Sequence, residues 1–492
     1  MANRTYSDAV AHLNTLQSNA AALEAARASG RRSNELYMMV DYLERLGYST
    51  SDLNKLNVIH ITGTKGKGST SAFVDSILRE TFPGSTIGLY TSPHLVAVRE
   101  RIRINGKPLP EADFTTLFFE VWDALKANTA SNHPDTPPMP GYFRFMTLLA
   151  FYTFLKYNVD ATVLEVGVGG AFDSTNIVPK PVVTGVTALG IDHVSVLGST
   201  LTEIAWQKGG IYKKGVPALT VEQPKEGLNQ LRARAEEVET SKFVVVQPIP
   251  AFARIKLGLA GVHQYQNAML AAHLAHEFVK TRVHGSDEIP PSFEAGLRNA
   301  RWPGRCQTVA DPKHSNTTWY LDGAHTTESL DCCIRWFVSA EGARPNDSKT
   351  RVLIFNCTSG RSGPKFLGTM LETAVAEYQR LNYTQDPRAM FEHVIFCTNV
   401  TYSSGTFKGD LTAVALPDSD RFQLKTQHQL AAAWKSLYAD FPRENVHVLP
   451  TVEDAVHVVQ RLNQAELQVL VCGSLHLVGG IIEVAGLGSV AL

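Results

Sequence analysis

The feature that most narrows what this chain can fold into is an alternation of short β-branched runs with longer amphipathic segments. That rhythm belongs to βαβ units on a largely parallel sheet. Val58-Ile59-His60-Ile61-Thr62 reads as a strand, followed by a glycine-rich turn and a helix from about Ser71 to Arg79. Ala161–Val166 and Pro181–Thr187 read as further strands, the first ending in Gly167-Val168-Gly169-Gly170. After Ala300 the rhythm starts afresh, with strands expected at Thr317–Leu321, Arg351–Phe355, His393–Cys397, Asn445–Leu449 and Gln468–Cys472. The pattern thins at Gly285, Pro290, Pro291 and Gly296. An α/β fold of two domains is therefore expected, with a parallel-rich sheet in residues 1–299 and a smaller α/β unit in residues 300–492. Val469–Ile482, interrupted by Gly473, Ser474, Gly479 and Gly480, reads as a buried strand and then a turn.

The segment between the first strand and its helix carries the chemistry. Thr62-Gly63-Thr64-Lys65-Gly66-Lys67-Gly68-Ser69-Thr70 has glycines that let the backbone turn its N–H groups toward phosphate oxygens. The helix that follows adds its positive end. Lys67 is placed to reach the outer phosphates, and a hydroxyl just beyond it can assist magnesium. Ile61 stands where the usual first glycine of Gly-x-x-x-x-Gly-Lys-Ser/Thr would be, so the spacing is not standard. A solvated turn with lysines is the plain alternative. The loop indicates a nucleotide phosphate without indicating a reaction.

Composition removes several classes. Lys plus Arg number 46 against 47 Asp plus Glu, so the net charge of −1 argues against a general nucleic-acid or membrane-surface binder. The six cysteines contain no Cys-x-x-Cys pair, which argues against a zinc knuckle or a disulfide framework and for a reduced, intracellular protein. Met1–Ala26 has no apolar h-region, and it carries Asp8 and Glu24, unlike a mitochondrial leader. No stretch is long enough to cross a bilayer. A proline-rich loop with Pro134, Pro137, Pro138 and Pro140 precedes Gly141-Tyr142-Phe143-Arg144-Phe145.

The phosphate loop, Ser92-Pro93-His94-Leu95 and Glu165-Val166-Gly167-Val168-Gly169-Gly170 together resemble the folylpolyglutamate synthase family of the Mur-ligase superfamily. The likeness continues through Leu189-Gly190-Ile191-Asp192-His193, Ile204–Ile211, Trp302-Pro303-Gly304-Arg305 and Leu321-Asp322-Gly323-Ala324-His325, in the family's order. The resemblance implies an N-terminal P-loop, Mur-ligase-like domain and a smaller C-terminal Rossmann-like domain, with ATP between them. It also implies the reaction: ATP activates a folate carboxylate as an acyl phosphate, which the amine of L-glutamate attacks. Lys65 and Gln207-Lys208-Gly209-Gly210 resemble the eukaryotic branch. The expected substrates are ATP, L-glutamate and reduced folates. The enzyme is expected to be a cytoplasmic monomer without nucleic-acid partners, with a mitochondrial matrix pool alongside. A dihydrofolate synthase acting on dihydropteroate, and an inactive nucleotide-switched binding protein, are the competing readings.

Residue by residue, the resemblance makes Ser92, Glu165 and His193 magnesium ligands. Glu165, at the end of a buried strand, lies where open α/β sheets place ligands, although a structural carboxylate paired with lysine would look the same. His193 alone would not suggest magnesium, since imidazole is a poor first choice for that ion. Thr64, Lys65, Gly66, Lys67, Gly68 and Ser69 are expected on the phosphates. Asn267, beside Gln264, matches the segment that reads adenine, while a helix-start amide is the ordinary alternative. Lys208 matches a lysine carried as a carbamate, and from the sequence alone is one solvated lysine among Lys213 and Lys214. Arg305 and Asp322 are implied on ATP and His325 near the reacting groups; an Asp-Gly turn is the local alternative for Asp322. Arg99, Arg101 and Arg103 would line one face of a strand and steer a polyanionic tail, or lie on a solvated face. Tyr142 and Phe143 either stack on a pterin or belong to the core.

Overall fold

The computed structural model describes residues 4–17, 35–130, 133, 135–283, 288–339, 349–357, 362–404, 410, 424–462 and 466–492. Pro134 and Gly285, which the sequence pattern marks, lie outside them, as does part of the segment read for a leader. The chain divides into two compact units. The first comprises Met1–His94, Arg99–Gly258 and Gln264–Arg301; the second comprises Trp302–Leu492 with the short stretches Leu95–Val98 and Leu259–His263.

The first unit is built on eight strands: β1 (Val58–Thr62), β2 (Ile87–Tyr90), β3 (Ile102–Ile104), β4 (Lys107–Pro108), β5 (Ala161–Glu165), β6 (Val183–Val186), β7 (Pro217–Thr220) and β8 (Lys242–Val245). Their order is β4-β3-β2-β5-β1-β6-β7-β8, with β3 and β4 joined antiparallel and the rest parallel. Strands β1 and β5 are buried throughout, as parallel strands covered on both faces must be. The chain leaves β1 toward β2 on one side and leaves β5 toward β6 on the other. Their carboxyl ends therefore open a crevice between adjacent, oppositely departing loops. The helix Lys67–Thr81 begins directly at the phosphate loop, four residues before the expected start, and buries Phe73, Val74, Ile77 and Leu78.

The second unit has six strands: β9 (Gln307–Ala310), β10 (Thr317–Leu321), β11 (Thr350–Phe355), β12 (His393–Cys397), β13 (Val446–Leu449) and β14 (Leu467–Cys472). The order is β13-β12-β11-β14-β10-β9, with only β9 antiparallel. One buried cluster on Phe337, Phe355, Phe396 and Trp434 and another on Trp319, Ile354, Val469 and Ile481 make a three-layer arrangement.

Two expectations are corrected. The segment after β14 is the helix Leu475–Val484, not a turn. Gly479 lies inside that helix because a side chain there would meet the Leu95 carbonyl oxygen at 2.0 Å, so the glycine marks a close approach. The arginines at 99–103 do not form one strand face: Val98–Arg101 is a 3-10 turn, and only Ile102–Ile104 is extended. Arg101 and Arg103 are buried, donating to His94 Nδ1 at 2.9 Å and the Gly106 carbonyl at 3.2 Å. Short polar partners within reach of a turn fix them, and a steering row is lost.

Candidate functional site

The loop after β1 is held open by its own backbone. The N–H groups of Thr64 and Lys65 donate to the Ala188 carbonyl at 3.0 and 3.1 Å, and Thr64 Oγ exchanges hydrogen bonds with Gly190. Thr64 and Lys65 are thus tied to the strand-end segment beyond β6. The N–H groups of Lys67, Gly68 and Ser69 precede any intrahelical acceptor, since the first such bond is Thr70 N–H to Gly66 O at 2.8 Å. A helix N-terminus with free donors is a ready anion site. Gly66 has φ +89°, and a methyl there would meet Asn267 Oδ1 at 2.1 Å. Asn267 is buried against the loop, donating to Gln264 Oε1 at 2.9 Å, while Gln264 Nε2 reaches Ser69 Oγ at 3.3 Å. The two amides therefore brace the loop from the helix Gln264–Arg282.

Positive charge converges on this crevice. Lys67 Nζ and Lys208 Nζ both donate to the Gly63 carbonyl, at 3.1 and 2.8 Å. Lys208 is buried at the end of the helix Leu201–Gly209, not solvated as the sequence alone suggested. Burial, reinforced by the neighbouring Lys67 charge, pulls its ammonium well below the ordinary lysine range, against the opposing pull of Asp192 and Asp173. Lys65 faces Asp192 at 3.6 Å. His193 has a left-handed backbone, φ 50°, at the start of Val194–Leu197. Burial lowers its imidazole, opposed by Asp192 and aided by Lys67, Lys208 and Lys65, so the neutral ring offers a lone pair.

Glu165 is buried at the end of β5, and one oxygen, Oε2, accepts the Ser92 N–H at 3.0 Å. Among the described residues no three His, Cys, Asp or Glu side chains are gathered to hold a metal ion. The buried Glu165 carboxylate, tied to the Ser92 backbone, is an oxygen ligand of the kind that suits magnesium arriving with a nucleotide, because that ion keeps waters and shares phosphate oxygens. The donor set thus fits nucleotide-borne magnesium.

The glycine-rich loop after Glu165 is packed from all sides. Phe143 lies 2.3 Å from where a side chain on Gly167 would begin, and Tyr142 faces the Arg101 guanidinium at 5.4 Å. The Gly169 carbonyl accepts Thr62 Oγ at 2.6 Å. Asn176 Nδ2 donates to both Ala171 O and Gly210 O, at 3.1 and 3.0 Å, joining this loop to the helix end that carries Lys208. Asp173, whose carboxyl burial pushes up against several hydrogen bonds, accepts the Val168 N–H at 3.1 Å. Nothing beyond a weak local pattern marks His60, Asp173, Thr175 and Asn176 in the sequence. The only available signals were a histidine inside an apolar strand and an Asp-Ser-Thr-Asn run after a glycine loop.

In the second unit, Asp322 ends β10 and accepts the N–H of Cys306 and of Ala324, each at 2.7 Å. Both oxygens hold backbone, which fixes the turn bearing Arg305. Arg305 donates to its neighbour's carbonyl at Gly304, 3.1 Å, and packs over Gly323. His325 Nδ1 is 2.8 Å from the Gly323 carbonyl; a carbonyl only accepts, so Nδ1 carries a proton and the ring is oriented by that bond. His263 sits near Asp322 and Arg305, its imidazole lowered by burial.

A phosphate-type loop, a cationic crevice and one strand-end carboxylate define a nucleotide-handling α/β protein. No family model matches the chain. Folylpolyglutamate synthase of Saccharomyces cerevisiae strain AWRI796 is 45% identical over 502 residues, covering 98% of this chain and 87% of the relative. The same enzyme from strain FostersO is 44% identical over 505 residues, with the same coverage. Among solved structures, Mycobacterium tuberculosis folylpolyglutamate synthase complexed with ADP and AMPPCP superposes with a TM-score of 0.69 at 22% identity, covering 92% of this chain and 95% of that one. The Thermotoga maritima folylpolyglutamate synthase gives 0.65 at 25% identity, covering 92% and 93%. The chain belongs to the folylpolyglutamate synthase family.

Proposed function

We propose that this chain is an ATP-dependent ligase that adds L-glutamate to tetrahydrofolate through γ-linked amide bonds. Family membership at 45% identity over nearly the whole chain supports the reaction. The observation that carries it is the convergence of Lys67 and Lys208 on Gly63 O, beside helix N–H groups and the Glu165 carboxylate.

The γ-phosphoryl of ATP passes to the terminal folate carboxylate, giving an acyl phosphate and ADP. The glutamate amine then attacks the acyl carbon, the amide forms, and phosphate leaves with a proton released from nitrogen. The N–H groups of Gly66, Lys67, Gly68 and Ser69 bind the phosphates, and Lys67 moves from Gly63 O onto the outer one. Thr64 and Lys65 keep the loop in register. Ser92, Glu165 and His193 would hold magnesium, which would supply charge neutralisation at the phosphates when bound. Lys208, a buried amine whose ammonium form burial disfavours, is suited to capture carbon dioxide as a carbamate with loss of a proton. Asn267 contacts the adenine end, Arg305 and Asp322 act on ATP, and His325 lies near the reacting carboxylate, with 1–299 as the ATP-binding domain and 300–492 as its C-terminal partner. Among the described residues no helix is long and apolar enough to cross a membrane. A monomer in the cytoplasm with a mitochondrial matrix pool completes the proposal.

The test is ADP release coupled one-to-one to amide formation, requiring ATP, magnesium, folate and glutamate together. Glu165→Ala should abolish it; unchanged turnover would remove Glu165 from the metal site.

A further inference from the structure

His60 occupies the middle of β1, fully buried, where an apolar residue would pack without any polar demand. Its Nε2 lies 2.9 Å from Thr175 Oγ. Thr175 Oγ in turn donates to Asp173 Oδ1 at 2.6 Å, and the Thr175 N–H donates to the same oxygen at 3.0 Å. Asp173 Oδ2 accepts the Val168 N–H, three residues beyond Glu165. A hydroxyl has one proton to give. Since Thr175 gives it to Asp173, it accepts from the imidazole, which fixes His60 as the Nε2–H tautomer. Its Nδ1 is then a buried lone pair, and that atom has no partner among the described residues. Burial holds the ring neutral, down to about 3.

We propose that His60 and Thr175 are positioning residues: a one-way hydrogen-bond chain, His60 to Thr175 to Asp173, clamps the Gly167–Gly170 loop and so sets Glu165 for magnesium that arrives with the nucleotide. This deepens the reading of Glu165 as a metal ligand and rests on it. A histidine inside a parallel strand leaves one ring nitrogen unsatisfied, which leucine would not. Its return is a donor with a fixed direction at a point where Thr175 has only an acceptor to offer. Outer partners of this kind orient the groups that touch a metal.

The test uses the full chain and three variants: Thr175→Val, His60→Leu and His60→Gln, the last keeping an N–H donor. ATP binding is measured by calorimetry across a magnesium titration and again in excess chelator. Thr175→Val and His60→Leu should raise the magnesium midpoint roughly tenfold or more. ATP affinity in chelator should stay unchanged, and His60→Gln should remain near the parent. A parent-like midpoint in Thr175→Val, or an equal loss with and without magnesium, overturns the proposal. Nitrogen NMR of the parent protein gives an independent reading should His60→Leu not fold: Nε2 protonated and Nδ1 bare at neutral pH is expected, and the reverse tautomer overturns it. If the parent protein binds magnesium and ATP as described but ligates no glutamate, the proposed reaction fails while this inference stands.

Discussion

Gly66→Ala tests whether the phosphate loop depends on the contact that Asn267 makes with it. Two terms enter. The backbone at Gly66 is left-handed, φ +89°, a region that costs an L-residue roughly 1–2 kcal/mol. The new methyl would also lie 2.1 Å from Asn267 Oδ1, a buried atom whose amide is held by Gln264. Overpacking of that kind costs about 1–3 kcal/mol. Together they come to roughly 2–5 kcal/mol, enough to melt the loop locally or lower the stability of the first unit. Urea denaturation of Gly66→Ala, Asn267→Gly and the double variant separates the terms. The double variant should recover the packing share, giving a coupling of about 1–3 kcal/mol, while the backbone share remains. Additive losses, with no coupling, would refute the claim that Asn267 braces Gly66.

Three further outcomes follow from the same structure. Lys208→Met should raise stability at neutral pH and flatten its pH dependence while removing ligation. The unfolded lysine holds its proton up to about its ordinary value of 10.5 whereas the buried amine does not, so stability rises with pH across that window and methionine removes the rise; urea melts at pH 7 and pH 9.5 check this. Asp322→Asn keeps one backbone acceptor and turns the other into a donor facing an N–H of Cys306 or Ala324, a loss of about 1–3 kcal/mol read in the melting of the second unit. Gly479→Ala should destabilise that unit by about 1–3 kcal/mol, because its methyl would run into the Leu95 carbonyl; an unshifted melting curve would count against the close approach.

The central strands were legible because parallel strands covered on both faces are written as apolar runs: β1, β10 and β12 match their expected ends, β5, β6, β11, β13 and β14 shift by one or two residues, and β2, β4, β7, β8 and β9 carried no expectation. Glycine was the weak point. Gly479 and Gly480 read locally as a break, yet sit inside a helix, because the reason for Gly479 is a tertiary neighbour some 384 residues away in sequence, Leu95. The arginines at 99–103 misled for the same reason: alternation gives faces only if the backbone is extended, and a 3-10 turn intervenes. The phosphate loop and the strand ending in Glu165 carry a local pattern that suggests a nucleotide site, whereas His193 enters only through the family resemblance. Lys208 likewise enters only through the resemblance, since its burial and the shared Gly63 carbonyl are not written beside it in the sequence. The clamp from His60 through Thr175 joins residues 115 positions apart, so no window on the sequence contains it.

The central claim is that this loop and crevice serve glutamate addition to a reduced folate. It is tested most directly by ATP- and magnesium-dependent incorporation of labelled glutamate, with tetrahydrofolate and dihydropteroate offered in parallel and products resolved by mass. A ladder of single glutamyl additions on tetrahydrofolate, absent without ATP, is the result expected. Incorporation on dihydropteroate alone, or on neither acceptor while ATP still binds, would contradict it.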